Sequence, residues 1–330
     1  MPDIKELLEK EYGDSIIVTG QHLIDKPRKM VSVSPSLDMG LSKGLSSGLT
    51  IISGIEKSGK TLVSLYIAAQ CQQQLGSKVY YFNIENRINP KTIQGIPHLD
   101  LNNFHVIEST PQKIFTAEEY LDIIIKLTTL EKNAVIIIDS FSNLCPSDEF
   151  SSKMSENIQM ALIPKLLARF CRRMCSILAV NENFVIGINH LHSNPGYGSP
   201  VQESGGRSLK YQADNKLICK KFELWKYPQN SENVIGLISS WDIIHSSLGL
   251  PGRKVTTYVR FGEGIDSTYE LLTIAADLGI ITQKGAGWLT LDIDGTEKKI
   301  QGMENCLTFL KENPDIEKNI HNKIKDMMGM

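Results

Sequence analysis

Gly54-Ile55-Glu56-Lys57-Ser58-Gly59-Lys60-Thr61 stands between an apolar run, Leu49 to Ile52, and a second apolar stretch containing Leu62, Val63, Leu65, Ile67 and Ala68. The order reads as strand, glycine loop, helix, which is the setting that a phosphate-binding loop requires. Its glycines let successive backbone N–H groups converge on one anion, and the following helix adds the positive end of its dipole. In such a loop Lys60 reaches the terminal phosphates of a nucleoside triphosphate, and the Thr61 hydroxyl holds a magnesium ion. The plain alternative is a glycine turn with a solvated Lys60. Chance places all four fixed positions together in such a chain only on the order of once in a hundred.

The chain has 330 residues, 41% of them hydrophobic and 22% charged, enough for one large core and a smaller satellite domain. A net charge of -2 excludes a global attraction to nucleic acid, so any such binding must use local patches. Met1-Pro2-Asp3-Ile4-Lys5-Glu6 lacks the apolar core of a signal peptide, and no apolar run is long enough to span a bilayer. A cytoplasmic location without a membrane partner is expected. The six cysteines show no C-x-x-C spacing; Cys171 and Cys175 share a helix face without a histidine nearby, so reduced and mostly buried thiols are expected.

Ile4 to Tyr12 reads as a short amphipathic helix that must dock on something to be stable. Residues 31–48 are rich in Ser and Gly, and Ser34-Pro35-Ser36-Leu37-Asp38 reads as a turn. Beyond the glycine loop, apolar runs at 78–82, 104–107, 134–139 and 184–188 alternate with helical patterns at 116–130 and roughly 156–180. Continuous apolar strands alternating with helices argue for an α/β fold with a mainly parallel central sheet covered on both faces. Residues 191–208, with several Gly and Pro, read as a long mobile loop. Strands are expected near 215–222, 234–244 and 255–261, then a helix over 269–278, a short strand at 288–291 and two terminal helices. The division is an N-terminal packing element over 1–34, a core over 35–262 and a small α/β C-terminal domain over 263–330.

Asp139 closes the run Ala134 to Ile138, where it can hold the magnesium shell; a capping aspartate is the alternative. Glu85 follows Val79 to Ile84, at the strand end where ligands of open α/β sheets sit, and can orient or deprotonate an attacking water; a solvated strand end is the alternative. Asn189-His190 ends another apolar run directly before the long loop, so a polar side chain there can report the γ-phosphate to it; a histidine satisfied locally is the alternative. Between Ile158 and Asn181 no acidic residue occurs, while Lys165, Arg169, Arg172 and Arg173 recur at helical spacing. They form one basic stripe, a track for nucleic-acid phosphates or else a solvated face.

Taken in order, these features resemble the bacterial and phage RecA-type recombinases. The resemblance rests on Ser36-Leu37-Asp38, Gly54 to Thr61, Glu85 with Pro90, Ile138-Asp139-Ser140, Ile188-Asn189, Gly205-Gly206 with Leu209-Lys210-Tyr211, Phe261 to Ile265, Gly285 to Trp288 and Phe309 to Pro314. It implies a RecA-like ATPase core that uses ATP and Mg to build a filament of its own copies on single-stranded DNA and to exchange strands with duplex. It further implies catalytic roles for Glu85, Lys60 and His190, a nucleotide site over Gly54, Ile55, Glu56, Lys57, Ser58, Gly59, Lys60 and Thr61 with Asn89 and Phe261, and metal binding by Thr61 and Asp139. DNA would be held by loops at about 149–160 and 191–206, with Tyr197, Gly205, Gly206 and Arg207 joining the stripe. The chain departs from the family at His190, usually glutamine, at Asn89 and Thr92 in place of the adenine-holding Asp and Tyr, and at His245-Ser246-Ser247 in place of lysines that act across the subunit interface. Arg253 or Lys254 is the expected substitute. A filament-forming accessory protein with weak ATPase and a RecA-fold DNA motor are the alternatives.

Overall fold

The computed structural model describes residues 3–26, 28–153, 155, 162–193, 201–206, 208–228, 231–285, 287–293 and 296–329. In chain order they form α1 (Ile4–Tyr12), α2 (Gly20–Asp25), β1 (Met30–Val31), α3 (Pro35–Leu41), β2 (Leu45–Ser46), β3 (Gly48–Gly54), α4 (Lys60–Leu75), β4 (Val79–Asn83), α5 (Pro90–Gln94) and β5 (Phe104–Ile107). There follow α6 (Ala117–Leu130), β6 (Val135–Asp139), α7 (Ser147–Ser151), α8 (Leu162–Asn181), β7 (Phe184–Ser193), β8 (Val201–Glu203), α9 (Ser208–Gln212), β9 (Asn215–Lys226), β10 (Val234–Ser246), β11 (Arg253–Arg260) and β12 (Gly264–Ile265). The last unit holds α10 (Ser267–Asp277), β13 (Ile281–Lys284), β14 (Trp288–Ile293), β15 (Thr296–Gln301), α11 (Met303–Glu312) and α12 (Pro314–Met328).

The central sheet has ten strands in the order β12-β11-β10-β9-β3-β7-β6-β4-β5, with β8 added to the end of β7. From β5 to β9 the neighbours run parallel, and β10 to β12 continue antiparallel. This is the α/β, mainly parallel sheet expected from the apolar runs. The β6 residues explain why those runs are continuous. Val135 and Ile137 pack with Val63 and Ile67 of α4, while Ile136 and Ile138 pack with Tyr120 of α6 and Phe170 of α8. Both faces are covered, so no position of the strand needs to be polar. The carboxyl ends of β3, β4, β6 and β7 consequently meet along one edge.

Three expectations change. Ser34 to Asp38 is not a turn: it opens helix α3, with the Ser34 side chain accepting from Leu37 N and Pro35 in the first turn. Burial of Leu37 and Leu41 favours the helix that the local Ser-Pro signal alone left open. The 191–208 segment is not simply a loop, because β7 runs on to Ser193 and pairs antiparallel with β8, Leu191 opposite Glu203. The C-terminal unit contains a three-stranded sheet, β13-β14-β15, where one strand was expected. Its other two strands, with lysines and threonines, carry little hydrophobic signal.

Among the described residues, α1 and α2 bury no residue, so the N-terminal helix does not dock within its own chain. No helix is long and apolar enough to cross a membrane among the described residues. Cys171 is buried but Cys175 is exposed, so the two thiols do not share one environment.

Candidate nucleotide site and its surroundings

Strand β3 ends at Gly54, and the chain turns through Lys57 and Gly59, both left-handed at φ 60 and φ 86, before α4 begins. The loop is held from three sides. Ile55 N donates to Cys219 O at 3.2 Å, Ser58 Oγ donates to Ile55 O at 2.8 Å, and Ser239 Oγ donates to Ser58 O at 3.1 Å. Lys60 Nζ donates back to Gly54 O at 3.1 Å and Ile55 O at 2.8 Å. Burial pulls its pKa down, while the Asp139 and Glu85 carboxylates pull it up.

Sheet register brings the acidic residues to this loop: Asn83 pairs with Asp139, and Gly54 pairs with His190. Thr61 Oγ1 donates to Asp139 Oδ2 at 2.8 Å, and Tyr81 Oη donates to the same oxygen at 2.6 Å. Burial raises the Asp139 pKa, opposed by those two donors. A buried carboxylate and a hydroxyl side by side at a phosphate loop are the donor set that a hard divalent cation takes, and its charge would relieve the burial penalty. Mg therefore fits Thr61 and Asp139.

Glu85 Oε1 lies 2.7 Å from His190 Nε2 and accepts from Ser140 Oγ at 2.5 Å. The His190 hydrogen bond, ahead of the opposing burial and aided by Ser140, holds the Glu85 pKa down at about 2. Arg87 approaches the other oxygen at 3.5 Å. These groups face one cleft of about 430 Å³ that runs from Glu56–Thr61 past Tyr81, Asp139 and His190 to Ile88, Thr92 and Phe261.

Gly54 and Ile55 contribute carbonyls rather than cleft surface. Asn89 lies outside the cleft lining: its side chain caps α5 by accepting from Thr92 N at 2.9 Å, and Thr92 takes the place at the wall. Sequence reasoning missed Tyr81, Arg87, Ile88 and Leu237 as liners. Tyr81 was legible in principle, because it stands two residues before Asn83 on a strand and so shares that residue's face.

The nucleotide edge connects to the β8 arm through the end of β7. His190 N donates to Ser142 Oγ at 2.9 Å, and Ser142 Oγ donates to Asn189 Oδ1 at 2.8 Å. Asn189 Nδ2 donates to Ser204 O at 2.9 Å, in the turn after β8. Gly205 and Gly206, at φ 83 and φ 80, rest against Leu167 and Pro164 of α8. Lys165, Arg169, Arg172 and Arg173 are all exposed on that helix. The expected lack of acidic partners fails in space, because Asp122 of α6 pairs with Arg173 at 3.3 Å. Tyr197 and Arg207 lie outside the described residues, as do 194–200 and most of 154–161.

His245, Ser246 and Ser247 are engaged internally, with Ala213 O, Leu41 O and Ser46 Oγ respectively. Arg253 Nη1 donates to Met39 O at 2.6 Å and Ser42 Oγ at 3.0 Å, whereas the Lys254 side chain is 81% exposed, with its Nζ 3.9 Å from Asp242 Oδ1.

Comparison with known proteins gives one answer. The family model for the RecA N-terminal domain matches residues 3–266, and that for the RecA C-terminal domain matches residues 269–329. Protein RecA of Thermotoga neapolitana is 28% identical over 330 residues, covering 98% of this chain and 91% of that protein. Protein RecA of Streptomyces venezuelae is 28% identical, covering 98% and 83%, and that of Bifidobacterium longum 29%, covering 98% and 79%.

Proposed function

The chain belongs to the RecA family, and from that premise we propose that it is an ATP-dependent recombinase, assembling on single-stranded DNA and pairing it with homologous duplex. The observation that carries the reading is the hydrogen-bonded path from Glu85 to the His190 imidazole, and from the His190 backbone N–H through the Ser142 and Asn189 side chains to the Ser204 carbonyl. It joins a triphosphate site to an arm lying beside an exposed basic helix, so a change at one end has a physical route to the other.

The phosphate loop binds the triphosphate through backbone N–H groups and the Lys60 ammonium. Thr61 and Asp139 would hold magnesium, whose charge would offset that of the phosphates. Glu85, ionised at neutral pH, accepts a proton from or orients the attacking water. Ser140 and His190 both hold its Oε1 and so aim the carboxylate. Exposed Lys165, Arg169 and Arg172 attract the DNA backbone without reading its sequence.

Self-assembly fits the N-terminal element. Ile4, Leu7, Tyr12, Ile16, Ile17, Val18, Leu23 and Ile24 are all exposed, an apolar surface that a neighbouring copy can cover. In the proposed filament this contact is head to tail and open-ended. Lys254, the projecting cation of the pair, then supplies charge across the interface. A second reading, a filament with slow turnover, is favoured by the internally held His245.

Negative-stain microscopy with single-stranded DNA and a slowly hydrolysed ATP analogue, beside ATPase assays of the wild type and Lys60→Ala, tests this. Helical filaments with DNA-stimulated turnover lost in the variant are expected. Filaments without turnover support the second reading; closed rings or no assembly defeat both.

A further inference from the structure

Lys216 is among the largest side chains that the fold encloses completely, with 1% of its surface exposed. It sits on β9 with Ile51 of β3 on one side and His245 of β10 on the other, one strand from the phosphate loop. A buried ammonium needs a charged partner. That partner is Glu203 Oε2, on the last residue of β8. Among the described residues β8 pairs with β7 and not with β9, so the ion pair is a side-chain tie between strands that share no ladder.

The neighbouring residue is held from the opposite direction. Ser204 O accepts from Asn189, Ser204 N donates to His190 O at 3.4 Å, and Ser204 Oγ lies 2.6 Å from His192 Nε2. The end of the arm is thus gripped at 204 by the strand carrying His190 and at 203 by a cation inside the sheet. Glu203 Oε1 is buried with no hydrogen-bond partner among the described residues. A carboxylate with an orphan oxygen is poorly solvated where it stands, and what keeps it there is its attraction to Lys216. Without that charge, the same carboxylate gains by moving into water.

We propose that Lys216 is a positioning residue for the 201–206 arm, and that its buried pairing with Glu203 sets where the end of the arm stands against His190 and the first turns of α8. The inference rests on the DNA-dependent ATPase reading for its consequence: a misplaced arm couples nucleotide state to DNA grip poorly. A pair that merely stabilised the core would instead lower the melting temperature and leave the arm as it is.

The test uses the full chain as Lys216→Met, Glu203→Gln and the double variant, with hydrogen exchange over 201–206, binding of a fluorescent ATP analogue, and hydrolysis titrated with an oligo-dT strand. In Lys216→Met, exchange over the arm should rise about tenfold or more, as for a local opening made easier by some 1.4 kcal/mol. The oligo-dT concentration for half-maximal stimulation should rise several-fold, with analogue binding and basal turnover unchanged. The double variant, which buries no charge at either position, should recover most of the arm's protection. Should Lys216→Met fail to fold, Glu203→Gln carries the comparison, with a smaller rise expected because Lys216 keeps a polar partner. Arm exchange unchanged beside a lowered melting temperature overturns the proposal. If oligo-dT does not stimulate even the wild type, the DNA reading fails separately, and the exchange data still decide whether Lys216 positions the arm.

Discussion

Glu85 Oε1 and His190 Nε2 lie 2.7 Å apart although 105 residues separate them in the chain. Parallel pairing across β4, β6, β7 and β3 sets their strand ends side by side, so an imidazole partners the carboxylate that we propose works on water.

That contact makes an acid-stability prediction. Glu85 is held at about 2, first by the His190 hydrogen bond, so its folded pKa lies below its unfolded value. Its stabilising contribution is therefore present above the unfolded pKa of about 4.3 and is lost as pH falls through the folded one. His190→Ala removes the principal cause, and the acid-unfolding midpoint followed by circular dichroism should move to higher pH. An unchanged midpoint would show that the contact does not depress the carboxyl.

Glu270 has the opposite sign. It is fully buried under the N-terminus of α3, and burial raises its pKa to about 8 despite donation from Ser36 N and Tyr258 N. Folding then favours the protonated form, so the contribution is full below the unfolded value and is lost as pH rises towards about 8. The melting temperature of the wild type should fall across that window, and Glu270→Gln should flatten the slope. The same slope in both proteins would remove Glu270 as its origin.

Gly95 meets the backbone of Gly262, and a Cβ there would overlap the Gly262 carbonyl oxygen. Gly95→Ala should push away the turn that carries Phe261 at the cleft mouth, costing about 1–3 kcal/mol of stability. Nucleotide affinity should weaken while DNA binding without nucleotide persists. Equilibrium denaturation and analogue titration read the two effects, and wild-type values in both would contradict the contact.

Arg172 and Arg173 are neighbours on α8, but among the described residues only Arg173 is paired with an acidic residue of α6, at 3.3 Å. Arg172→Ala should lower the slope of log affinity against log salt for single-stranded DNA by about 0.7, the value for one lost phosphate contact. Arg173→Ala should change it less, because Asp122 already offsets that charge. Equal slopes for all three proteins would take the helix out of the DNA path.

Much of this was legible along the chain. The apolar runs gave the strands because a doubly covered strand needs no polar position, and the glycine loop announced itself through its neighbours on both sides. Reading failed where a contact distant in sequence decided the outcome. Ser34 to Asp38 became a helix once Leu37 and Leu41 were buried, and Asp122 reached Arg173 from a helix about 50 residues away. Asn89 is a local exception: its side chain caps α5 three residues on, leaving it out of the cleft lining.

The sequence alone determined the fold class, the glycine loop between β3 and α4, and which acidic and imidazole groups stand at the strand ends, because local pattern and strand order constrain each of these. Tertiary structure alone decided that Glu85 and His190 touch, that the Thr61 hydroxyl donates to Asp139, and that Lys216 holds Glu203. Those contacts depend on which strands become neighbours and in what register, which is a property of the closed sheet rather than of any stretch within it.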